Sequence, residues 1–221
     1  MARPALSPTE RSTPRRHRER AAADRAALDA ILDEGLVCHL GFGTDAGPVV
    51  IPTGYGRDGD ILYLHGSTGS ASMTAAAGGA PVCVTVTLLD GIVYARSAFH
   101  HSANYRSAVI HGQARPITDD TEKSHGLRVL TEHLAPGQWD YTRPPNRREL
   151  AATTLIALDL TEAAVKTRNG GPVDDPDDVA AHQGWAGVLP LHRVWGQPQP
   201  ADDLPAVVAV PERIRYRSVP T

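Results

Sequence analysis

The chain has 221 residues, 41% of them apolar, which is enough for one sizeable core; with only two Phe, aliphatic side chains must fill it. Twenty-two Lys and Arg against 25 Asp and Glu give a net charge of −3, which excludes nucleic acid as the main partner because phosphate neutralisation needs a basic surface. No apolar run has the length of a membrane span, and the first fifteen residues carry Pro, Ser and Arg where a secretion signal needs apolar residues, so no membrane partner and a cytoplasmic location are expected.

Residues 1–17, with three Pro, are expected to form a flexible arm, and the run Arg15-Arg16-His17-Arg18 with Arg20 a solvated stretch of it. Residues 19–34 carry a helical stripe through Ala22, Arg25, Ala26, Leu28, Ile31 and Leu32, closed by Gly35. The period then shortens. Residues 36–42 and 48–55 are predicted strands around a hairpin loop at 43–47, and 61–65 a third strand after the turn Arg57-Asp58-Gly59-Asp60. A short helix is predicted over 70–77. Val82, Val84, Val86 and Leu88 alternate with Cys83, Thr85 and Thr87 in the plainest strand of the chain, followed by a predicted tight turn at Asp90-Gly91 into a strand over 92–98. Another strand is predicted over 105–116, a helix capped by Asp119 and running through Lys123, Leu127, Leu130 and Leu134, and a final strand over 153–166. Sequential hairpins with few crossovers favour an antiparallel sheet curled into a barrel and decorated by helices. Residues 170–182 are acidic and turn-rich, a surface loop; 185–191 and 207–216 are too patterned for a mere tail.

Several chemistries can be set aside. Cys38 and Cys83 lie in strand-like runs and pack as small hydrophobes. His100 and His101 are neighbours on opposite faces of an extended segment, and His125 and His133 are out of line on their helix, so no protein-built metal site is expected. Gly41-Phe42-Gly43 lacks the third Gly of a dinucleotide turn, and neither a Walker loop nor a G-x-S-x-G elbow occurs.

What remains suits a planar anion. Three alternating apolar residues deliver His65 to the end of a strand, and Gly66, Ser67, Thr68, Ser70 and Ser72 follow in a hydroxyl-rich turn at the start of a helix. Two readings fit that turn: a phosphate cradle, or a plain polar connection between strand and helix. Asn104, Tyr105, Arg106 and Ser107 form a second polar knot. Lys166 and Arg168 place two cations on one side of the last strand. Arg106 has the alternative of pairing a carboxylate, and Lys166 with Arg168 that of a solvated edge.

These segments in order resemble the FMN-binding split-barrel superfamily, the pyridoxamine 5′-phosphate oxidase-like proteins, and within it the nitroimidazole-resistance type. The resemblance rests on residues 32–41, PVVIPTGY at 48–55, YLHGSTGSASM at 63–73, ANYRSAVIHGQA at 103–114, the pair Glu122-Lys123, KTR at 166–168 and WAGVLPL at 185–191. It implies a mainly β (α+β) fold, a six-stranded antiparallel split β-barrel with peripheral helices over 18–195, and a C-terminal extension at 196–221 packed on or near it. It also implies a homodimer holding two FMN at its interface. Val50, Ile51, Pro52 and Thr53 would flank the ring. His65, Gly66, Ser67 and Thr68 would lie near the ring or ribityl chain, and Ser70, Ser72 and Met73 near the phosphate. Many relatives carry Gly-Arg-Lys after the His. This chain has Gly69-Ser70-Ala71, so the missing charge would come from Arg106, Lys166 or Arg168, from either subunit, with Ser107 a further cofactor-binding candidate. The implied activity is an FMN-dependent oxidoreductase acting on a small organic substrate, with NAD(P)H a candidate donor and His65 or Tyr105 supplying a proton. The rival readings are a flavin carrier or sensor without a substrate, and a barrel that binds a deazaflavin or haem.

Overall fold

The computed structural model describes residues 6, 9–13, 18–22, 24–181 and 184–218. Ten strands form one sheet: β1 (Ala21–Ala22), β2 (Val37–Thr44), β3 (Gly47–Asp58), β4 (Ile61–Ser67), β5 (Pro81–Tyr94), β6 (Ser102–Gln113), β7 (Arg115–Pro116), β8 (Thr153–Asp159), β9 (Ala163–Arg168) and β10 (Gly187–Pro190). Their order is β1-β9-β6-β5-β2-β3-β4-β8-β7, all antiparallel, with β10 on the last four residues of β5. The antiparallel barrel class is as expected; the six-strand count is not matched, since the described residues form ten strands.

Alternation decides what lies inside. Ile51, Leu40, Val84, Ile110 and Ala163 stand in register on five neighbouring strands and face the interior. Helix α1 (Arg25–Glu34) adds Leu28, Ile31 and Leu32 to the same core. It starts at Asp24, whose carboxylate accepts the Ala26 N–H, and not at residue 19: 18–20 make a 3-10 turn leading into β1. Helix α2 (Ala71–Ala77) buries Met73 and Ala76. Helix α3 (Asp120–Leu134) covers the opposite face of β3, β4 and β8, where Tyr63, Ile117, Leu130, Leu155 and Ala157 make a second core. Three short helices follow, α4 (Arg147–Ala152), α5 (Pro176–Ala180) and α6 (Glu212–Arg215).

Two predicted breaks and one predicted continuity are corrected. Asp90-Gly91 is a bulge inside a single long strand, not a turn, because Asp90 is held by Arg106 and Gly91 pairs with Pro190 of β10, where an added Cβ would stand 2.8 Å from the Leu189 carbonyl. The predicted strand over 153–166 is two strands, β8 and β9, which lie far apart in the sheet. The loop at 43–47 narrows to a tight turn before Gly47, whose φ of +117° suits glycine. Within the arm, Leu6 is buried in the main core and Arg11 pairs with Glu162 at 2.7 Å, which lowers the Glu162 carboxyl to about 2. Residues 1–5, 7–8 and 14–17, with most of the basic run, and His182 lie outside the described residues.

Candidate functional site

The outer face of the sheet is where the predicted groups gather. Pro52, His39, Thr85, Val109 and Ala164 form one continuous row there. His65, Thr87, Ser107 and Lys166 point the same way, since Leu64, Val86, Ala108 and Val165 beside them are buried. The same alternation divides the four residues expected beside a ring. Val50 and Pro52 face out, Val50 being 64% exposed, while Ile51 packs on the core and Thr53 follows its parity. Gly54 flanks His65, with nothing within 4 Å of where its Cβ would stand, so the surface beside the imidazole is open. The His65 imidazole has no hydrogen-bond partner among the described residues, and burial lowers its pKa. The group is a neutral imidazole at pH 7.

The turn after His65 is a self-satisfied structure. The Ser70 N–H bonds the Ser67 carbonyl at 2.9 Å, the Thr68 N–H bonds Ala152 at 3.0 Å, and the Ser70 and Ser72 hydroxyls meet at 2.7 Å. Ser70 caps α2. Met73 lies beneath Gly66, where an added Cβ would stand 2.6 Å from its Cγ, so its side chain belongs to the core. No Lys or Arg is bonded into this turn among the described residues.

The cations expected to help are occupied elsewhere. Arg106 forks between Glu34 and Asp90, with Asp90 at 2.7 Å; these bonds raise its own pKa and lower that of Glu34. Arg168 is buried, bonded to the buried Asn104 and to the carbonyls of Gly170 and Gly171 at 3.1 and 3.0 Å, where it pins the following loop. Lys166 stays on the outer face opposite Ser107, whose hydroxyl bonds the Lys166 carbonyl. Tyr105 also lies near that edge, opposite Arg168. Three strands separate β6 from β4, so at about 4.8 Å per strand Tyr105 and His65 of one chain stand ~19 Å apart along the sheet.

A second feature went unseen in the sequence. The C-terminal stretch folds back over the ends of α1 and α3 and borders a half-open cleft of about 760 Å³ lined by Leu36, His133, Trp195, Arg213, Tyr216 and Arg217 among others. Its signal was the alternation of Arg with Ile and Tyr over 213–217. Among the described residues no three His, Cys, Asp or Glu side chains cluster as a metal site, and no helix is long and apolar enough to cross a membrane.

A curled antiparallel half-barrel with helices at its rim and an open outer face defines a split barrel. The family model described as pyridoxamine 5′-phosphate oxidase matches residues 24–167, and the chain belongs to that family. Among solved structures it is similar to the flavocytochrome Anf3 from Azotobacter vinelandii, 36% identical over 95% of this chain and 97% of that one, with a TM-score of 0.88. It is also similar to the FAD and heme binding protein from Mycobacterium smegmatis, 41% identical over 89% of this chain and 96% of that one, TM-score 0.85. A protein described as a 5-nitroimidazole antibiotic resistance protein from Bacteroides thetaiotaomicron shares the fold at 21% identity, over 66% of this chain and 85% of that one, TM-score 0.56. No curated protein matches the sequence.

Proposed function

We propose that this protein is a flavin-binding redox protein that also carries haem. The observation behind this reading is the pair of solved relatives, 36% and 41% identical over nearly the whole chain, one a flavocytochrome and the other described as binding FAD and haem. We assign the flavin as FAD in place of the FMN suggested by the sequence. The turn at 67–72 offers hydroxyls without a cation, a weak grip for a single phosphate, whereas an adenylate adds contacts of its own.

When bound, the flavin supplies hydride and single-electron chemistry and haem a single-electron centre. The chain's residues hold and orient. Val50 and Pro52 present a flat apolar edge, His65 offers a neutral imidazole able to donate or accept one hydrogen bond, and Lys166 contributes charge. A homodimer completes the site: with Val37 and Val50 exposed on a sheet face, a second copy burying that face would bring the Tyr105–Lys166 edge of one protomer toward the His65 edge of the other. A small organic acceptor and NAD(P)H as donor fit an open ring face; a carrier or sensor would use the same site without them.

The test is an absorption spectrum of freshly purified protein with acid release of its cofactors. The expected result is a Soret band beside flavin absorption, FAD as the released nucleotide, and a dimer by light scattering. A colourless protein that takes up neither added flavin nor haemin ends the proposal. Turnover of NAD(P)H with a quinone or nitro acceptor would separate enzyme from carrier.

A further inference from the structure

The charged groups around the cleft beside the C-terminal stretch are almost all committed to one another. Asp33 pairs with Arg57 at 2.6 Å, Glu34 with Arg106 and, at 2.6 Å, with Arg193, and Glu132 accepts the N–H groups of Gly137 and Trp139 at 2.6 and 2.8 Å. Arg213 lies on the Tyr141 ring at 4.3 Å, and its charge faces Glu132. Arg217 is the exception. Its guanidinium lies on the Trp195 ring at 4.0 Å, and no carboxylate pairs with it among the described residues. Stacking uses the face of a guanidinium and leaves its N–H edge available, the geometry that receives a carboxylate.

Two observations turn Arg217 toward the cleft. It is half-buried, whereas Arg213 and Arg215 of α6 are exposed. Its charge also reaches the His133 imidazole in the cleft wall: burial chiefly lowers the pKa of that ring, and the charges of Arg57 and Arg217 act in the same direction. His133 itself is fixed wall, with Nε2 2.6 Å from the Gly35 carbonyl and its ring on Tyr55 at 4.8 Å. Leu36, Pro136, Val194 and Trp195 supply apolar surface beside it. A neutral ring and apolar side chains around one uncompensated cation select an apolar body with a single negative charge. A second charge on the ligand would meet a wall with nothing to pair it. The volume of about 760 Å³ is that of a small-molecule site.

We propose that this cleft binds a small amphipathic carboxylic acid, its carboxylate on the N–H edge of Arg217 and its apolar body against Leu36, Pro136, Val194 and Trp195. This ligand does not depend on the flavin and haem reading. The test is calorimetric titration of the native chain, as purified, with 2-naphthoate, its neutral counterpart 2-naphthamide, and decanoate. An acid should bind once per chain, and naphthoate about tenfold more tightly than the amide. The tighter of naphthoate and decanoate identifies the acid as one built on a ring or on a chain, and either supports the site. R217Q should abolish the preference for acid over amide. R215Q removes the same charge from an exposed position on α6 and should keep it. W195A should weaken acid and amide together, since it takes away apolar wall. The flavin content of all three variants should match the native protein. A native chain that binds none of the probes, or binds naphthoate and naphthamide equally, overturns the proposal without any variant having to fold. So does an R215Q protein that loses as much acid affinity as R217Q, because the attraction would then belong to net charge and not to this cleft.

Discussion

Inside the barrel, Leu40, Val84 and Ile110 stand side by side on adjacent strands with no exposed surface. The C-terminal stretch reaches the same barrel by other means: an Arg193–Glu34 pair, a single bond from the Leu191 N–H to Asp90, and two guanidiniums laid on rings, with Val194 left 85% exposed. The contrast separates stability from function. A barrel filled by aliphatic rows has no interior room for a cofactor, so binding falls to its outer face and to the mantle around it. Leu40→Ala should cost about 3 kcal/mol in urea denaturation, whereas Trp195→Ala should stay within about 0.5 kcal/mol. Equal losses would make the C-terminal stretch part of the folding core and break the contrast.

The same contrast can be sharpened within one strand. A Cβ at Gly56 would stand 2.8 Å from the Val129 carbonyl and 2.9 Å from Leu130 Cα, both backbone atoms of α3 that cannot swing aside. At Gly54, two residues earlier on the same face, nothing lies within 4 Å. Gly56→Ala is expected to cost about 2 kcal/mol by forcing α3 off the sheet. Gly54→Ala should leave the melting temperature nearly unchanged and, on the flavin reading, weaken flavin uptake beside His65. A destabilised Gly54→Ala would mean that this face is already covered in solution by something other than cofactor.

Much of the barrel was legible because alternation is a local signal: β2, β3 and β4 lie within a few residues of their expected bounds, as does α3 behind its Asp119 cap. What failed was set by distant partners. The Asp90-Gly91 pair has turn chemistry, yet Arg106 holds Asp90 across the ladder and the β10 backbone lies against Gly91. Of the two readings of Arg106, ligand contact or a carboxylate pair, the sequence could not choose, because Glu34, 72 residues away, gives no local sign of its approach. Residues 50–53 were grouped by position, but strand parity splits them into two that face out and two that face in. The cleft was missed for another reason: the alternation over 213–217 marks an ordered segment but not the ends of α1 and α3 on which it lands.

The smallest expected effect is a pH dependence that again distinguishes the two regions. His133 and His65 both have pKa values lowered from the ordinary imidazole range of about 6.5, mainly by burial, and for His133 the bond to Gly35 only partly offsets this. Below pH 6.5 the unfolded chain takes up protons that the folded chain resists. Stability should therefore be full above that pH and fall as the pH drops toward the lower native value, where the loss levels off. His111, also lowered by burial, adds to the same trend. Calorimetry of cofactor-free protein from pH 8 to pH 5, about the span in which imidazole titrates, should show the fall. His133→Gln should flatten it, since an amide N–H can still serve the Gly35 carbonyl without titrating. His65→Gln, on the open face, should flatten it without disturbing the α3–Gly35 contact, and so leave the melting temperature at pH 8 unmoved. A His133→Gln protein whose acid slope matched the native one would show that this imidazole titrates in the fold as it does in the unfolded chain.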